Sequence, residues 1–358
     1  MKSFLQQYSI PKKVGIVSYG AYIPHQRITS AEIDLHQGKD PGSTAKSAHL
    51  ISKAVPASDE DAATLACMSA GQALERASIF SQDIQSLFIG SESHPYAVKP
   101  TGATVATALG LSQYISLADL EFACKAGTQG LQISAAYVQS GMQIASMAIG
   151  SDTAQAAPGD ALEYSAAAGS AAYILGSKGI LAELLATVSV ATDTPDFWRL
   201  NGSEYPSHAG RFSGEPAYFA HITKSVTALL EMTQLTAKKI DYCVFHTPNM
   251  KFPTTVAKRL GFNLEQLQPS LLVQTVGNTY SAATLLALAQ TLDSVEANKT
   301  ILVASYGSGA GSDAFLFKTT PLLTKRRLHW SGLIKQQLSK TTNISYSEYM
   351  HNTSGGHA

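Results

Sequence analysis

Charge is scarce in this 358-residue chain. Only 15% of residues are Asp, Glu, Lys or Arg, and 26 cations balance 26 anions to a formal net charge of zero. That excludes the strongly basic field that gathers nucleic acid, and no Lys/Arg-rich stripe compensates for it. The one basic triplet, Lys325-Arg326-Arg327, reads as a solvated surface run. Cysteine is nearly absent too. Three residues, Cys67, Cys124 and Cys243, cannot build a disulfide framework, which points to a reducing compartment. No apolar run reaches the length of about 18 residues that a membrane helix needs. The polar stretch Met1 to Lys13 lacks the apolar segment of a signal peptide. A cytoplasmic location is therefore expected, with no nucleic-acid or membrane partner. His94, His208 and His221 fit no metal-ligand spacing and lack Cys partners, so no metal is expected. What is abundant is apolar: 45% of residues are hydrophobic, enough for a large core in two halves or two domains.

Among the scarce residues, Cys124 stands out by its setting, Glu121-Phe122-Ala123-Cys124-Lys125-Ala126-Gly127-Thr128-Gln129-Gly130. An apolar run, Tyr114 to Ala123, reads as a buried strand. A helix follows, with Leu131, Ala135 and Val138 at helical spacing. The sulfur would then sit at a helix N-terminus, where the helix dipole favours thiolate and lowers its pKa. Gly127 and Gly130 leave room for close approach. The alternative is a buried cysteine acting as a small hydrophobe. That is the reading for Cys67 and Cys243, which fall on an apolar helix face and a strand.

The rest of the chain alternates strands and helices. Val14 to Ile23 is a strand. Ser30 to Pro56 is loop with short helix. Ser58 with Asp61 resembles a capping box, opening a helix with Leu65, Ala66, Ser69, Ala70 and Ala73 on one face. Strand Leu87-Phe88-Ile89, helix Ala103 to Leu109, the Cys124 unit, strand Ile144 to Ile149 and strand Ala166 to Leu175 complete residues 1–178. The second half, 179–358, opens with a strand over Leu184 to Ala191. Asp193 to Gly214 is a long loop whose aromatics, Phe197, Trp198, Tyr205 and Phe212, argue for order. Helix Ala220 to Met232, strand Tyr242 to Phe245, helices Thr254 to Leu260 and Ala282 to Leu292, and strand Thr300 to Ser305 follow. A Gly/Ser corner, Gly307 to Ser312, lacks the Gly-Lys-Ser/Thr ending of a phosphate loop. Past Lys318 the chain turns polar and basic, and His351 to Ala358 should fray.

The two halves repeat each other in order and spacing. Glu92 ends one strand and Cys124 comes 32 residues later; His246 ends its counterpart and Asn278 also comes 32 residues later. Glu92-Ser93-His94-Pro95 is echoed by His246-Thr247-Pro248. If the halves pack about a pseudo-two-fold, these corners converge, and Glu92, Cys124, His246 and Asn278 share one site. Singly, each has a plainer reading: Glu92 as a strand-end carboxylate, His246 as a satisfied histidine, Asn278 as a turn residue.

The motifs together resemble the 3-hydroxy-3-methylglutaryl-CoA synthase family, in its compact archaeal and bacterial form, within the thiolase superfamily. They include Lys53-Ala54-Val55-Pro56, Glu121 to Thr128, Gly159-Asp160-Ala161-Leu162-Glu163-Tyr164, Asp196-Phe197-Trp198-Arg199, Tyr205-Pro206-Ser207-His208, Gly214 to Phe219, Gly277-Asn278-Thr279-Tyr280-Ser281 and Ser305 to Asp313. The likeness is weak in Leu35 to Ile51 and after Lys318. It implies an α/β thiolase fold: two βαβαβαββ halves in five α-β-α-β-α layers, dimeric or tetrameric. It implies condensation of acetyl-CoA with acetoacetyl-CoA in the mevalonate route to isoprenoids, with no metal or redox cofactor. It also raises the possibility of a complex with acetoacetyl-CoA thiolase through a small bridging protein.

The resemblance implies roles as well. Cys124 would carry acetyl as a thioester. Glu92, with a pKa raised by apolar neighbours, would take a methyl proton. His246 would orient the acetoacetyl carbonyl and protonate the alkoxide. Asn278 would hydrogen-bond that carbonyl or the His246 ring. Backbone amides at the Cys124 corner and at the Gly307-Ser308 corner would receive an oxyanion, and Lys251 would meet a CoA phosphate. Three other readings stay open: a related enzyme of β-branching that acts on carrier-protein substrates, a ketoacyl synthase III-like enzyme that needs no base at Glu92, and a non-catalytic acyl-CoA-binding scaffold.

Overall fold

The structure, a computed structural model, describes residues 13–153 and 156–354. The expectations for residues 1–12, for the Phe212 ring and for residues 355–358 lie outside it. Fifteen elements form the frame. The first half comprises β1 (Gly15–Tyr22), α1 (Ala62–Arg76), β2 (Ile84–Gly90), α2 (Thr101–Ala108), β3 (Ser116–Leu120), α3 (Ala126–Gln139), β4 (Ala145–Thr153) and β5 (Ala168–Gly176). The second comprises β6 (Ala182–Thr194), α4 (Phe219–Thr233), β7 (Tyr242–Phe245), α5 (Lys251–Arg259), α6 (Ala283–Ser294), β8 (Thr300–Ala304) and β9 (Gly309–Thr319).

The strands join one nine-stranded sheet in the order β7-β8-β9-β6-β1-β5-β4-β2-β3. Its centre is the antiparallel contact of β1 with β6, through Gly15–Glu183 and Ile16–Ala182. Outward from there the halves mirror each other: β1-β5-β4-β2 against β6-β9-β8-β7. β2–β4 and β7–β8 are the corresponding parallel pairs. α1 and α2 cover one face of the first half-sheet, and α4, with α5 packed beside it, one face of the second. α3 and α6 lie between the half-sheets, giving the five layers expected. β1, β4 and β5 are buried almost throughout, as strands covered on both faces must be.

The mirror is incomplete. β3 has no counterpart: among the described residues, no strand lies between Phe245 and Thr300. In its place run short helices, Leu264–Leu267 and Val273–Val276. A small three-stranded sheet, Gln26–Thr29, Ser52–Val55 and Thr342–Asn343, sits beside them. Ile51 N–H donates to the Gln274 carbonyl at 2.8 Å.

Several local expectations are revised. The helix start is set by Asp61, not Ser58: the Asp61 carboxylate accepts from Thr64 N–H and the Thr64 hydroxyl accepts from Asp61 N–H, a cap worth about 1 kcal/mol. The apolar run Tyr114 to Ala123 is not a buried strand. β3 is a partly exposed edge strand, and Tyr114 is 96% exposed. Asp193 to Gly214 contains two paired two-residue strands, Phe197–Trp198 and Ser207–His208. Lys325-Arg326-Arg327 is not simply solvated: it ends the helix Pro321–Arg327, and Arg327 donates to the Leu292 and Val295 carbonyls, each at 2.7 Å, at the end of α6. His351 does not fray, because the helix Tyr346–Ser354 carries it; Tyr349 of that helix is buried, and its hydroxyl accepts a bond from Lys53 Nζ at 3.0 Å.

Candidate active site

α3 and α6 begin alike. Ala123 (φ 44°) and Tyr280 (φ 50°) both adopt the left-handed conformation that costs a side-chain-bearing residue on the order of 1 kcal/mol or more. Each opens one 3₁₀ turn, Ala123–Lys125 or Tyr280–Ala282, that leads into its helix. The turn geometry therefore matches Cys124 with Ser281, not with Asn278 as equal spacing suggested. The two corners meet at the centre of the molecule. A Cβ on Gly150 would lie 2.4 Å from the Ser281 carbonyl oxygen, and one on Gly127 2.8 Å from it. Only glycine permits that approach.

Cys124 is buried, and its thiol donates to Glu92 Oε1 at 2.9 Å. Glu92 is held from below by Asp152, a fully buried carboxylate at the end of β4. Asp152 Oδ1 accepts from Glu92 N–H at 2.7 Å and from the hydroxyls of Ser91 and Ser93 at 2.8 and 2.7 Å. Its Oδ2 accepts from Ser281 N–H at 2.8 Å. Arg199 donates to the Glu92 carbonyl at 3.3 Å. Desolvation, then the nearby Asp152 charge, pushes the Glu92 carboxyl up to about 8. Desolvation, then the Glu92 charge, also pushes the Cys124 thiol well above its ordinary value. The expected helix-dipole lowering of that pKa is thus overturned. The partial positive charge at a helix end is outweighed by burial and, once Glu92 ionises, by its charge 2.9 Å away.

His246 ends β7. Its N–H donates to the Ala304 carbonyl at 3.0 Å, and its carbonyl accepts from the Tyr218 hydroxyl at 2.6 Å. The ring lies among Tyr218 and Tyr306. Burial lowers its pKa to about 3, so it is uncharged at neutral pH. Its Nδ1 is buried with no hydrogen-bond partner among the described residues. Asn278 does not bond the His246 ring. Its Oδ1 accepts from Tyr280 N–H at 3.0 Å, while its own N–H donates to the Ser165 carbonyl at 2.7 Å.

Cys124, His246, Asn278, Ser308 and Tyr306 line one cavity of about 880 Å³, which reaches outward past Leu50, Gln274 and Leu264 to the exposed Lys251. Glu92 opens on an adjoining cavity of about 680 Å³. Phe197 and Tyr280, with ring centroids 6.2 Å apart, line both. Gly307 does not present a free amide. Its N–H donates to the Gly311 carbonyl at 2.8 Å and Gly311 N–H returns the bond at 2.8 Å. Ser308 sits at the tip of this turn.

The three histidines weighed above as metal ligands are engaged separately. His94 bonds Thr101, His221 bonds the Ala217 carbonyl and Thr192, and His208 faces Asp160. Cys243 is fully buried and Cys67 half-buried, with burial raising both thiols. Two carboxylates escaped sequence reasoning. Asp152 lies three residues past the end of the strand expected over Ile144 to Ile149, and the sequence assigns it no role. Asp196, fully buried, accepts from the Tyr306 hydroxyl at 2.5 Å and Gly309 N–H at 2.8 Å.

Known proteins resemble this chain in sequence and in fold. A family pattern described as 3-oxoacyl-[acyl-carrier-protein (ACP)] synthase III C terminal matches residues 230–319. Among solved structures, MvaS in complex with 3-hydroxy-3-methylglutaryl coenzyme A superposes with a TM-score of 0.87 at 21% identity, over 95% of this chain and 91% of that one. The HMG synthase of the curacin biosynthetic pathway gives 0.86 at 22%, over 96% and 89%. At those identities the likeness establishes the fold, which is of thiolase type. Sequence relatives go further. The hydroxymethylglutaryl-CoA synthase of Methanopyrus kandleri is 49% identical over 338 residues, 94% of this chain and 96% of the relative. That of Methanocaldococcus jannaschii is 53% identical over 311 residues, 87% and 90%. With half of its residues shared along nearly its full length, the chain belongs to the hydroxymethylglutaryl-CoA synthase family.

Proposed function

We propose that this chain condenses acetyl-CoA with acetoacetyl-CoA, through an acetyl-Cys124 thioester, to give 3-hydroxy-3-methylglutaryl-CoA and CoA. The observation that carries the reading is the Cys124–Glu92 contact of 2.9 Å at the wall of a cavity that also holds His246. The thiol is protonated at rest, so Glu92 first takes its proton as the sulfur attacks acetyl-CoA. The N–H groups of Cys124 and Ser308 receive the oxyanion. CoA leaves as its thiol, taking that proton.

Glu92, again ionised, removes a methyl proton from acetyl-Cys124. A carboxyl titrating near 8 is a stronger base than an exposed one, which suits an α-proton of a thioester. The enolate adds to C3 of acetoacetyl-CoA. Neutral His246 and the Asn278 amide donate to the C3 oxygen. The growing alkoxide raises the proton affinity of the imidazole beside it, so His246 takes up the proton that Glu92 removed and passes it to the alkoxide, giving the new hydroxyl and returning the imidazole to its neutral form. Water then cleaves the thioester and restores the Cys124 thiol. Lys251, at the exposed end of the cavity, meets a CoA phosphate. No step calls on a metal or redox cofactor.

The Glu92 contact favours this chemistry over a ketoacyl synthase, which needs no base there, and over a scaffold. A homodimer, the cytoplasm and a bridged acetoacetyl-CoA thiolase complex complete the proposal. For the dimer, the unpaired edge of β3 and the exposed Tyr96, Val98 and Tyr114 near it give support. The test is CoA release from acetyl-CoA with acetoacetyl-CoA, beside acetoacetyl-carrier protein. The wild type should turn over the CoA substrate, and Cys124→Ala should form neither acetyl-enzyme nor product. Turnover by that variant, or preference for the carrier protein, overturns the reading.

A further inference from the structure

The residue after the nucleophile is a buried lysine that the mechanism above leaves unused. Lys125 is 1% exposed. Its Nζ lies 3.1 Å from Asp313 Oδ1, donates to Gln129 Oε1 at 2.7 Å, and sits 4.0 Å above the Phe122 ring. Asp313 is fully buried on β9 of the other half, and also accepts from Thr128 and Ser189 hydroxyls at 2.9 and 2.7 Å. Replacing such a pair with apolar groups often costs a fold nothing, so stability alone does not account for it.

The lysine stem suggests what does. Gly307 and Gly311, the reciprocally bonded pair that carries Ser308 at its tip, lie flat against it. A Cβ on Gly307 would meet Lys125 Cγ at 2.7 Å and the Phe122 carbonyl oxygen at 2.7 Å. One on Gly311 would meet Phe122 Cζ at 2.8 Å and Lys125 Cδ at 2.9 Å. Thus one side chain forms the floor of the Ser308 turn, is covalently adjacent to Cys124, and is pinned by its far end to the second half.

We propose that Lys125, through its ion pair with Asp313, is a positioning residue that fixes the gap between the Cys124 and Ser308 amides. This rests on the reading of those amides as the oxyanion hole. It predicts a selective defect. Thioester attack passes through a tetrahedral oxyanion that needs both donors, whereas alkylation of the same sulfur by iodoacetamide forms no oxyanion.

The experiment measures two single-turnover rates on the full chain: acetylation of Cys124 by acetyl-CoA, and its alkylation by iodoacetamide. The paired variant Lys125→Met with Asp313→Asn keeps both shapes and removes both charges. Gly311→Ala leaves the charges and wedges the turn away from the lysine. Both should slow acetylation by about 10- to 100-fold, less than or comparable to deleting one donor. Alkylation should stay within about twofold, because the thiol and Glu92 are untouched. Lys125→Arg, which keeps the charge, should restore part of the acetylation rate. Equal slowing of both reactions, or no slowing of acetylation, overturns the proposal. Acetyl transfer in Cys124→Ala would instead overturn the nucleophile assignment, so the two failures are distinguishable.

Discussion

Glu92→Gln separates the two tasks assigned to that carboxylate. The charge it removes lies 2.9 Å from the Cys124 sulfur. At an effective dielectric of about 20, two unit charges that close repel by about 6 kcal/mol, before reorganisation reduces the figure. Glu92 is second only to desolvation among the influences raising the thiol. Its loss must therefore favour the thiolate, and the pH midpoint for alkylation by iodoacetamide must move down. Condensation must fail all the same, because the glutamine amide cannot accept a methyl proton. General-base removal costs about 10²- to 10⁴-fold. The assay pairs the alkylation rate from pH 6 to 10 with CoA release from acetyl-CoA and acetoacetyl-CoA. A variant whose alkylation midpoint stays put or rises refutes the electrostatic argument; one that still condenses at the wild-type rate refutes the base assignment.

Further outcomes follow from the same geometry. Condensation should rise with pH through the ionisation of Glu92 near 8, with no step near the ordinary histidine value, because burial holds His246 at about 3; a pH–rate profile from 5 to 10 checks both. The raised Glu92 carboxyl also opposes folding once the unfolded chain ionises first. Its protonated form is fully accommodated below about 4.5, and stability is lost as pH rises from there to about 8. Glu92→Gln should accordingly raise Tm at pH 8 more than at pH 5 in thermal melts. Gly150→Ala would drive a methyl into the Ser281 carbonyl at 2.4 Å, at a cost of about 3 kcal/mol or more. Denaturant titration should show that loss, whereas an unchanged midpoint would mean the central helices separate freely.

The elements of the frame were legible because their signals are local. Apolar runs, helical spacing and Gly/Ser corners mark β1, β4, β5, α4 and α6 without reference to anything distant. The repeat was legible too, but its alignment slipped by three residues. Equal 32-residue offsets pair Cys124 with Asn278, whereas the left-handed Ala123 and Tyr280 pair Cys124 with Ser281. The second half replaces a strand with short helices, and counting residues cannot see that exchange. Electrostatics was less legible still. A cysteine at a helix N-terminus looks activated until a carboxylate from 32 residues away is placed beside it. Asp152, Asp196, Lys125 and Asp313 act across separations of more than 100 residues, to Ser281, Tyr306 and each other. Lys125, Asp196 and Asp313 fall within the motifs quoted above, but their immediate neighbours do not say what they touch.

The strand absent from the second half has a use beyond irregularity. A fully mirrored sheet would carry a fifth strand where Leu264 to Val276 now runs, against the flank of the cavity that holds Cys124 and His246. The short helices there instead give Leu264 and Gln274 to the cavity wall and anchor residues 50–52 across from them. The first half keeps its edge strand; the second gives it up, and the short helices in its place line the larger cavity. Duplicating one unit supplies the corners that bring Cys124 and His246 to one cavity, and the departure from exact copying shapes its wall. The cavity that holds Cys124 and His246 is walled, in part, where the symmetry fails.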